Sequence, residues 1–353
     1  MPMNSTQPIS VSQTLEPGVI PDELLPAFRH LRDYLALPGE PDERLNPRWL
    51  AARLGVGERE LLGALAYGVR DGLVELHWEV YCPACGLRPE EFSSLAKARG
   101  EIECVGCAMT FDLHLDRDVR VTFSATTAAR GARDTVEAAA RPADDSFAPT
   151  RGLDLLLVPA FRELFGGDAP APDESLRIGR VAILFTDLRG STAMYAACGD
   201  PRAYQLVRDH FAVLAAEIAA RRGTLVKTIG DAVMASFASG ADAVRAAFAA
   251  QTRIDERARQ TDAELILKAG VHAGACLAVA LNGQLDFFGG AVNTAARVQG
   301  LSHGADVIIT DPILDEIKSE RAGEALAFHV AESFHAPLRG LPAPIPVHRL
   351  LKR

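Results

Sequence analysis

The sequence lacks an excess of positive charge, long apolar runs and an N-terminal targeting segment. Its formal net charge is −9 at pH 7, which argues against general affinity for nucleic acid or for an anionic membrane. No stretch approaches the 18 apolar residues of a membrane-spanning helix, and the Met-Pro-Met-Asn-Ser start has neither the basic nor the apolar segment of a signal peptide. We therefore expect a cytoplasmic protein that does not contact a membrane.

The sequence also lacks the Gly-x-x-x-x-Gly-Lys-Ser/Thr pattern, which excludes a P-loop nucleotide site. What it does have is length and apolar content. Its 353 residues, 48% of them hydrophobic, are enough for two or three domains with cores of their own. Any functional assignment must come from motifs within those domains.

A predicted strand that ends on an acid organises the C-terminal half. The apolar run that starts at Val181 predicts a buried strand with Asp187 at its end. Gly190 permits a tight turn, and Ser191 and Thr192 are good helix N-cap residues, so the next helix would present free backbone N–H groups to an anion. A metal beside a phosphate is one interpretation, while a plain cap or turn residue is the commoner use of Asp at such a position.

A β-hairpin is predicted at residues 224–237, where two β-rich runs are joined through Gly230 and Asp231. Its first strand carries Lys227 among apolar neighbours. Taken alone, Gly-Asp fits ordinary turn chemistry, and a strand Lys fits a solvated face.

A third motif lies at residues 286–297 and reads Asp-Phe-Phe-Gly-Gly-Ala-Val-Asn-Thr-Ala-Ala-Arg. It begins with Asp286 and places Asn293 and Arg297 four residues apart, on one face of a helix. The three motifs together are much more specific than any one of them.

These three stretches resemble the class III nucleotidyl cyclase catalytic domain, and the resemblance covers the chain from about Leu176 to the C-terminus. The spacings match as well as the residue types. The resemblance implies roles for seven positions: Asp187 and Asp231 as the two metal-binding acids, the Leu188 carbonyl as a further metal ligand, Lys227 and Asp286 as the base-reading pair, Asn293 as the ribose-orienting residue and Arg297 as the transition-state residue. The predicted turn and helix start make Gly190, Ser191 and Thr192 candidates for substrate binding.

The substrate and cofactors follow from these assignments. Mg²⁺ or Mn²⁺, two per active site, suits hard oxygen ligands. Adenine offers an acceptor at N1 and a donor at N6, which a Lys227 donor and an Asp286 acceptor complement, whereas guanine has the reverse pattern. We therefore expect ATP as the substrate and cyclic AMP as the product.

The resemblance also implies a homodimer. In the family, the metal acids come from one catalytic domain and the base readers, Asn and Arg from its partner, and this chain has one such domain with all six residues. We expect a head-to-tail homodimer with two equivalent sites and an inactive monomer. One departure concerns the triphosphate: Ala305 and Asp306 stand where some relatives carry a basic residue, and Arg339 is a candidate substitute.

The order of predicted elements indicates an α/β (α+β) fold. The pattern is strand 180–186, helix 203–222, strand 224–228, strand 232–237, helix 241–257 and strand 265–272. This β-α-β-β-α-β order is that of a ferredoxin-like class III cyclase catalytic domain. Additional short strands are predicted near 306–310, 326–330 and 347–351.

Residues 21–80 carry the punctuation of three helices followed by a strand, which looks like a winged helix. The functional reading is DNA binding through the third helix. That segment, around Glu58, has no basic excess to meet phosphates, so nucleic acid is disfavoured. A module that senses a ligand or docks a regulatory protein is favoured instead.

Four cysteines have the two-knuckle spacing of a zinc ribbon. The pairs are Cys82 with Cys85 and Cys104 with Cys107. Cytoplasmic thiols stay reduced, so metal binding is favoured over a disulfide framework. Four thiolates leave no open position on the ion, which predicts a structural Zn²⁺.

Residues 124–149 shift to Ala, Thr, Arg, Asp and Pro, which is typical of a linker, and 153–165 is apolar with helical spacing. The Gly-Gly-Asp at 166–168 suggests a diguanylate cyclase motif, but the Ala-Pro that follows lacks the acid and aromatic residues that this motif needs. Residues 21–123 resemble an N-terminal module that precedes the cyclase domain in a group of bacterial cyclases.

Two functions are consistent with the sequence. The first is an adenylate cyclase regulated by its N-terminal module, and the second is a non-enzymatic DNA- or protein-binding switch that uses the cyclase domain only to dimerise. Matching residues at all six catalytic positions of the family favour the first. The predicted domains are a disordered tail at 1–16, a winged-helix-like domain at 17–80, a zinc ribbon at 81–123, a linker and connecting helix at 124–175, and the catalytic domain at 176–353.

Overall fold

The computed structural model describes residues 19–37, 39–40, 43–130, 146–170, 174–191, 194, 199–261, 265–320 and 327–353. The predicted disordered tail at 1–16 and the predicted substrate residue Thr192 lie outside them. The described residues separate into two compact units. The N-terminal unit comprises the described residues up to Gly179 together with Leu277–Phe288, and the C-terminal unit comprises Arg180–Cys276 and Gly289–Arg353. No helix within the described ranges is both long and apolar enough to cross a membrane.

The N-terminal unit begins with the predicted helices and strand: α1 Leu25–Ala36, α2 Pro47–Leu54, α3 Glu58–Arg70 and β1 Val74–Val80. Asn46 caps α2 by accepting a hydrogen bond from the Arg48 N–H at 3.0 Å, as its sequence position predicts. Gly55 ends that helix in the left-handed conformation, at φ 67°. The local sequence therefore sets both ends of α2.

Helix α3 is buried along its central turns. Every residue from Leu61 to Gly68 is buried, and α3 contacts α1, α2 and β1. A helix that is apolar on all sides belongs in a core. The side chains of residues 61–68 are therefore packed inside the N-terminal unit.

The predicted wing and ribbon share a sheet. The strands are β2 Glu90–Phe92, β3 Glu101–Glu103, β4 Thr110–Asp112 and β5 Val119–Ala125. Strand β5 pairs with β1 along its whole length, from Val74 opposite Ala125 to Val80 opposite Val119, and β2 pairs with the other edge of β1. Strands β3 and β4 form a separate hairpin. The predicted boundaries at 80/81 and 123/124 therefore fall within a paired sheet, and they stay a prediction.

The predicted linker and connecting helix contribute to the same unit. A short helix, α4, spans Thr127–Arg130. In place of one helix over 153–165 the structure has two, α5 Gly152–Leu156 and α6 Pro159–Phe165. The break falls at Pro159, which has no N–H for a continuing helix. Helix α6 packs on α3, and Phe161 meets the Trp78 ring edge-on at 5.8 Å between ring centroids.

The remaining elements begin with the predicted β-α-β-β-α-β order. They are β6 Leu176–Leu188, α7 Asp200–Ala220, β7 Thr224–Ile229, β8 Ala232–Phe237, α8 Gly240–Thr261, β9 Leu267–Leu281, β10 Gln284–Phe288, α9 Gly290–Gly300, β11 Asp306–Thr310, α10 Asp311–Glu320, β12 Phe328–Ala336 and β13 Ile345–Lys352. The strand order is β12-β13-β11-β9-β6-β8-β7, and β10 pairs with residues 277–281 of β9. The predicted mixed α/β fold is confirmed.

Helices cover the two faces of this sheet unequally. Val307 and Ile309 of β11 share a core with α7, α8 and α10, whereas Ile308 between them packs with Val298 of α9. Because successive strand residues point to opposite faces, α9 lies on the face opposite the other three helices. We call this side the α9 face.

Two glycines let α9 approach β9 closely. A Cβ added to Gly270 would lie 2.2 Å from the backbone N of Gln299, and one added to Gly274 would lie 3.2 Å from the Ala291 Cβ. The helix backbone thus rests almost directly on the strand at Gly270. This packing fixes the position of every side chain on α9.

Candidate active site

The two predicted metal acids meet where β6 ends and the β7–β8 hairpin turns. Ile229 pairs with Ala232, which leaves Gly230 and Asp231 as a two-residue turn, with Gly230 at φ 63°. The Leu188 N–H donates to Oδ2 of Asp231 at 3.2 Å. The charge of Asp231 acts on the carboxyl of Asp187, so the two carboxyl groups are neighbours. The structure therefore brings these two predicted acids together.

The electrostatics of this pair favour a bound cation. Burial first, and then the charge of Asp231, raise the pKa of Asp187, while Lys268 acts in the opposite direction. Two neighbouring carboxylates repel each other and so bind a shared positive charge more favourably than either would alone. Their oxygens are the ligands that Mg²⁺ and Mn²⁺ prefer. The donor set therefore fits the predicted divalent metals.

Asp187 and Lys227 both lie on the α9 face of the sheet. Leu184 and Leu188 of β6 belong to the core under α7 and α8. Asp187 comes directly before Leu188 and therefore points to the other face. Lys227 pairs with Met234 after a bulge in β7, and both neighbours of Met234 in β8 belong to that same core. The bulge therefore brings Lys227 to the face that carries Asp187.

Lys268, which the sequence analysis did not select, links the acids to α9. Its charge acts on Asp187, and its Nζ donates to the Gly300 carbonyl at the end of α9 at 3.4 Å. A cation at a helix C-terminus is favourable because carbonyl groups there have no helical partner. A single Lys in a strand gives no sequence signal for this contact.

Asn293 and Arg297 project from one side of α9, as the spacing predicts. Asn293 is exposed and Arg297 is half-buried. Gly340, at φ 79°, approaches the Arg297 guanidinium so closely that a Cβ there would lie 3.3 Å from Nη2. Gly340 follows Arg339, the candidate substitute for a triphosphate-binding residue. The turn at 338–341 therefore packs on the guanidinium of Arg297.

The glycine turn after β6 is only partly described. Gly190 has φ 73°, so a left-handed turn forms where the sequence predicts one. Ser191 is half-buried, and the Met194 N–H donates to the Gly190 carbonyl at 3.0 Å. Whether a phosphate binds here stays a prediction.

Asp286 lies on β10, in the N-terminal unit. It pairs with Val279 of β9, it is 6% exposed, and one of its carboxylate oxygens accepts from the Phe287 N–H at 2.7 Å. The other predicted residues of the site belong to the C-terminal unit.

A family comparison identifies the C-terminal region. Residues 174–340 match the family described as adenylate and guanylate cyclase catalytic domain, and the match contains all six predicted catalytic positions. This segment is a class III cyclase catalytic domain. Residues 38–138 match a family of unknown function.

Individual relatives share only part of their length with this chain. An adenylate cyclase of Anabaena cylindrica is 31% identical over 167 residues, which are 41% of this chain and 33% of that protein. An uncharacterized protein of Mycobacterium bovis is 34% identical over 163 residues, 46% of this chain and 38% of that protein. The crystal structure of the adenylyl cyclase CyaB from P. aeruginosa is 19% identical with a TM-score of 0.45, and covers 51% of this chain and 97% of that one. The chain spans well under half the length of these two curated relatives.

The cyclase domain also contains two histidines with lowered pKa values, the buried His210 and the half-buried His272. His210 of α7 is 1% exposed, and its Nε2 is buried with no hydrogen-bond partner among the described residues. Burial lowers the pKa of His210 to about 4, and a hydrogen bond to the Val207 carbonyl and the charge of Asp231 oppose this shift. Burial, then the charge of Arg180, lowers the pKa of His272 to about 4. Both side chains are neutral at pH 7.

The four ribbon cysteines form a cluster that could hold a metal. Their sulfur atoms lie within 4.8 Å of one another, with 3.7 Å between Cys82 and Cys107 and 3.6 Å between Cys85 and Cys104. A tetrahedron with zinc–sulfur bonds of about 2.3 Å has edges of about 3.8 Å, so the two closest pairs fit one ion. Cys82 and Cys104 are buried, and Cys85 and Cys107 are exposed.

The two knuckles have the same backbone design. The Gly86 N–H donates to the Cys82 carbonyl at 2.9 Å, and the Ala108 N–H donates to the Cys104 carbonyl at 2.8 Å. Gly86 has φ 72° and Ala108 has φ 55°. The second knuckle therefore keeps the left-handed turn of the first even though it has Ala where Gly is favoured. A repeated backbone of this kind is typical of a metal-binding ribbon.

Proposed function

We propose that the chain is an adenylate cyclase, which converts ATP to 3′,5′-cyclic AMP and pyrophosphate. The observation that carries the proposal is the proximity of the Asp187 and Asp231 carboxylates at one end of the sheet of a class III cyclase domain. A relative with the name adenylate cyclase supports the choice of reaction. The 3′-oxygen of the ribose forms a bond to the α-phosphorus, the bond to the bridging oxygen of pyrophosphate breaks, and the 3′-hydroxyl proton leaves.

Asp187 and Asp231 would act on the reacting end of the nucleotide through bound divalent ions. When bound between Asp187 and Asp231, divalent ions would lower the pKa of the 3′-hydroxyl and neutralise charge on the leaving pyrophosphate. Arg297 would meet the charge that develops around the α-phosphate, because a guanidinium presents a planar fork of donors to phosphate oxygens. Its packing against Gly340 limits the conformations open to that fork.

The remaining residues select and orient the substrate. Lys227 donates a hydrogen bond to adenine N1, and Asp286 accepts one from the N6 amino group. Asn293, exposed on α9, orients the ribose. Because hydrogen-bond donors and acceptors discriminate strongly between analogues with the opposite pattern, this pair favours ATP over GTP.

Two chains would form the catalytic unit. The chain matches the cyclase domain over one segment, and in the proposed arrangement the metal acids of one copy work with the base readers and Arg297 of the other. A two-fold symmetric pair then has two equivalent sites. A single chain would hold only half of each site.

The N-terminal unit would serve as a structured regulatory module. The four-cysteine cluster would bind a structural Zn²⁺, because four thiolate ligands leave no open coordination position for chemistry. The burial of α3 favours a module that docks a protein or ligand over one that binds DNA.

The test is an assay of the purified full-length chain with ATP and Mn²⁺, followed by separation of cyclic AMP and pyrophosphate. We expect both products in equal amounts, and at least about a 100-fold loss of rate in Asp187→Asn and in Asp231→Asn. Asp209→Asn makes the same charge change at an exposed position of α7 and should retain the wild-type rate. A dimeric wild-type protein that forms no cyclic nucleotide would instead support the non-enzymatic switch.

A further inference from the structure

Helix α6 and the turn after it hold the outer edge of β10. The Leu285 N–H donates to the Gly166 carbonyl at 2.7 Å, and the Leu285 carbonyl accepts from Nη2 of Arg162 at 2.6 Å. Both backbone hydrogen-bonding groups of Leu285 are therefore satisfied by α6 and its C-terminal turn. On its other edge β10 pairs with β9. The strand is thus fixed from both sides, one residue before Asp286.

The guanidinium of Arg162 is partly buried and only partly hydrogen-bonded. Its Nη1 is buried without a hydrogen-bond partner among the described residues, its guanidinium lies 5.4 Å from the centre of the Phe287 ring, and its charge acts on Asp286. Burial lowers the pKa of Arg162 to about 10, so the side chain stays charged at pH 7. Removing a charge from water costs free energy unless a group of opposite charge lies nearby. The carboxylate of Asp286 is such a group.

Helix α6 is itself held firmly. Phe161, the neighbour of Arg162, is buried against Trp78 of β1 and stacks on Phe165 at 5.3 Å. A Cβ on Gly166 would lie 2.5 Å from Oε1 of Gln284, so the turn after α6 also lies close against β10. The guanidinium therefore projects from a rigid part of the N-terminal unit.

We infer that Arg162, which lies outside the cyclase domain, is a positioning residue for Asp286 and thereby sets the preference for adenine over guanine. The inference rests on the proposed function, in which Asp286 reads the base. Arg162 would act in two ways: its hydrogen bond to Leu285 fixes the register of β10, and its charge attracts the Asp286 carboxylate.

The expected change in selectivity has a definite direction. Without the hydrogen bond from Arg162 to the Leu285 carbonyl, β10 is held less closely, and Asp286 is less well placed to accept from N6 of adenine. The same displacement relieves the repulsion between the Asp286 carboxylate and O6 of guanine, because both are hydrogen-bond acceptors. Loss of Arg162 should therefore weaken use of ATP and improve use of GTP relative to it.

The experiment compares ATP and GTP as competing substrates for full-length wild type, Arg162→Met and Arg162→Lys, with Glu163→Gln as the control. Glu163 is the exposed neighbour on α6. We expect the ratio of kcat/KM for ATP to that for GTP to fall about tenfold in Arg162→Met, as loss of one charge-assisted hydrogen bond implies. Arg162→Lys, which keeps the charge, should recover much of the ratio, and Glu163→Gln should match wild type.

The competition design separates a change of selectivity from a loss of folded protein. Both substrates meet the same active molecules, so the ratio does not depend on how much of the variant is folded. An unchanged ratio in Arg162→Met, or a ratio in Arg162→Lys that falls as far as in Arg162→Met, would overturn the inference. If wild type forms no cyclic nucleotide from either substrate, the proposed function itself fails, which is a separate result.

Discussion

At the scale of single residues, the lowered pKa of His272 links the stability of the cyclase domain to pH. Its Nδ1 lies 2.8 Å from Oγ1 of Thr310, and burial, then the charge of Arg180, lowers the pKa of His272 to about 4 from an ordinary 6.5. The folded state therefore keeps the ring neutral down to about pH 4, whereas the unfolded chain takes up a proton near pH 6.5. Between these values the unfolded state binds more protons, so stability falls as the pH is lowered.

We predict that His272→Gln reduces the acid sensitivity of folding. Wild type should lose stability between pH 7 and pH 5, with a contribution from His272 of the order of 1 kcal/mol. Thermal unfolding at the two pH values would measure the change. The control is His329→Gln, an exposed position on β12 that should leave the pH dependence as in wild type. A pH dependence in His272→Gln equal to that of wild type would contradict the assignment.

The sequence identifies side chains whose type and spacing repeat a known motif. Asp187 and Asp231 could be predicted to lie together because both match the metal-binding acids of the family that the motifs resemble. Arg162 and Lys268 could not, because each depends on a contact with a carbonyl far along the chain, Leu285 and Gly300 respectively. A tertiary contact of this kind has no local sequence pattern.

At the scale of elements, the four-cysteine cluster allows a prediction that does not depend on catalysis. We expect one Zn²⁺ per chain, and removal of the metal should lower the unfolding temperature of the N-terminal unit, because binding to the folded cluster stabilises it. Elemental analysis of protein purified without chelator, with thermal unfolding before and after chelation, would measure both.

Two cysteine variants sharpen this test. Cys104→Ser removes a ligand of the buried pair and should lose the metal, whereas Cys276→Ala alters a buried cysteine outside the ribbon and should retain it. A metal-free wild type whose unfolding temperature matches that of the chelated protein would rule out the ribbon assignment.

Element boundaries show what periodicity can and cannot predict. Strands β7, β8 and β11 were predicted within a residue, because turn residues or an abrupt change of pattern bound them. The apolar stretch at 153–165 was predicted as one helix, but Pro159 divides it into α5 and α6. Strand β10 at 284–288 was not predicted, because five residues are too few to show a clear alternating pattern.

At the scale of the whole molecule, the division of the chain differs from its sequence order. Residues 277–288 lie within the span of the cyclase match yet group with the N-terminal unit. That grouping depends on contacts such as those of Arg162 and Gly166 with Leu285, which no composition shift marks.

The central claim is that two chains share each active site, and a mixing experiment tests it most directly. Asp187→Ala and Arg297→Ala should each be nearly inactive, yet a mixture allowed to exchange subunits should regain activity. One site of a mixed dimer receives an intact Asp187 from one chain and an intact Arg297 from the other. Random pairing makes half of the dimers mixed, each with one good site of two, so recovery should approach about a quarter of the wild-type rate.

The matched control is a mixture of Asp187→Ala with Asp231→Ala. These acids come from the same chain in every site, so no mixed dimer contains an intact pair and the mixture should stay inactive. The measurement is cyclic AMP formed from ATP and Mn²⁺ after subunit exchange has been demonstrated. Recovery near a quarter in the first mixture, with none in the second, is the predicted result. Absence of recovery in the first mixture would contradict the shared-site dimer.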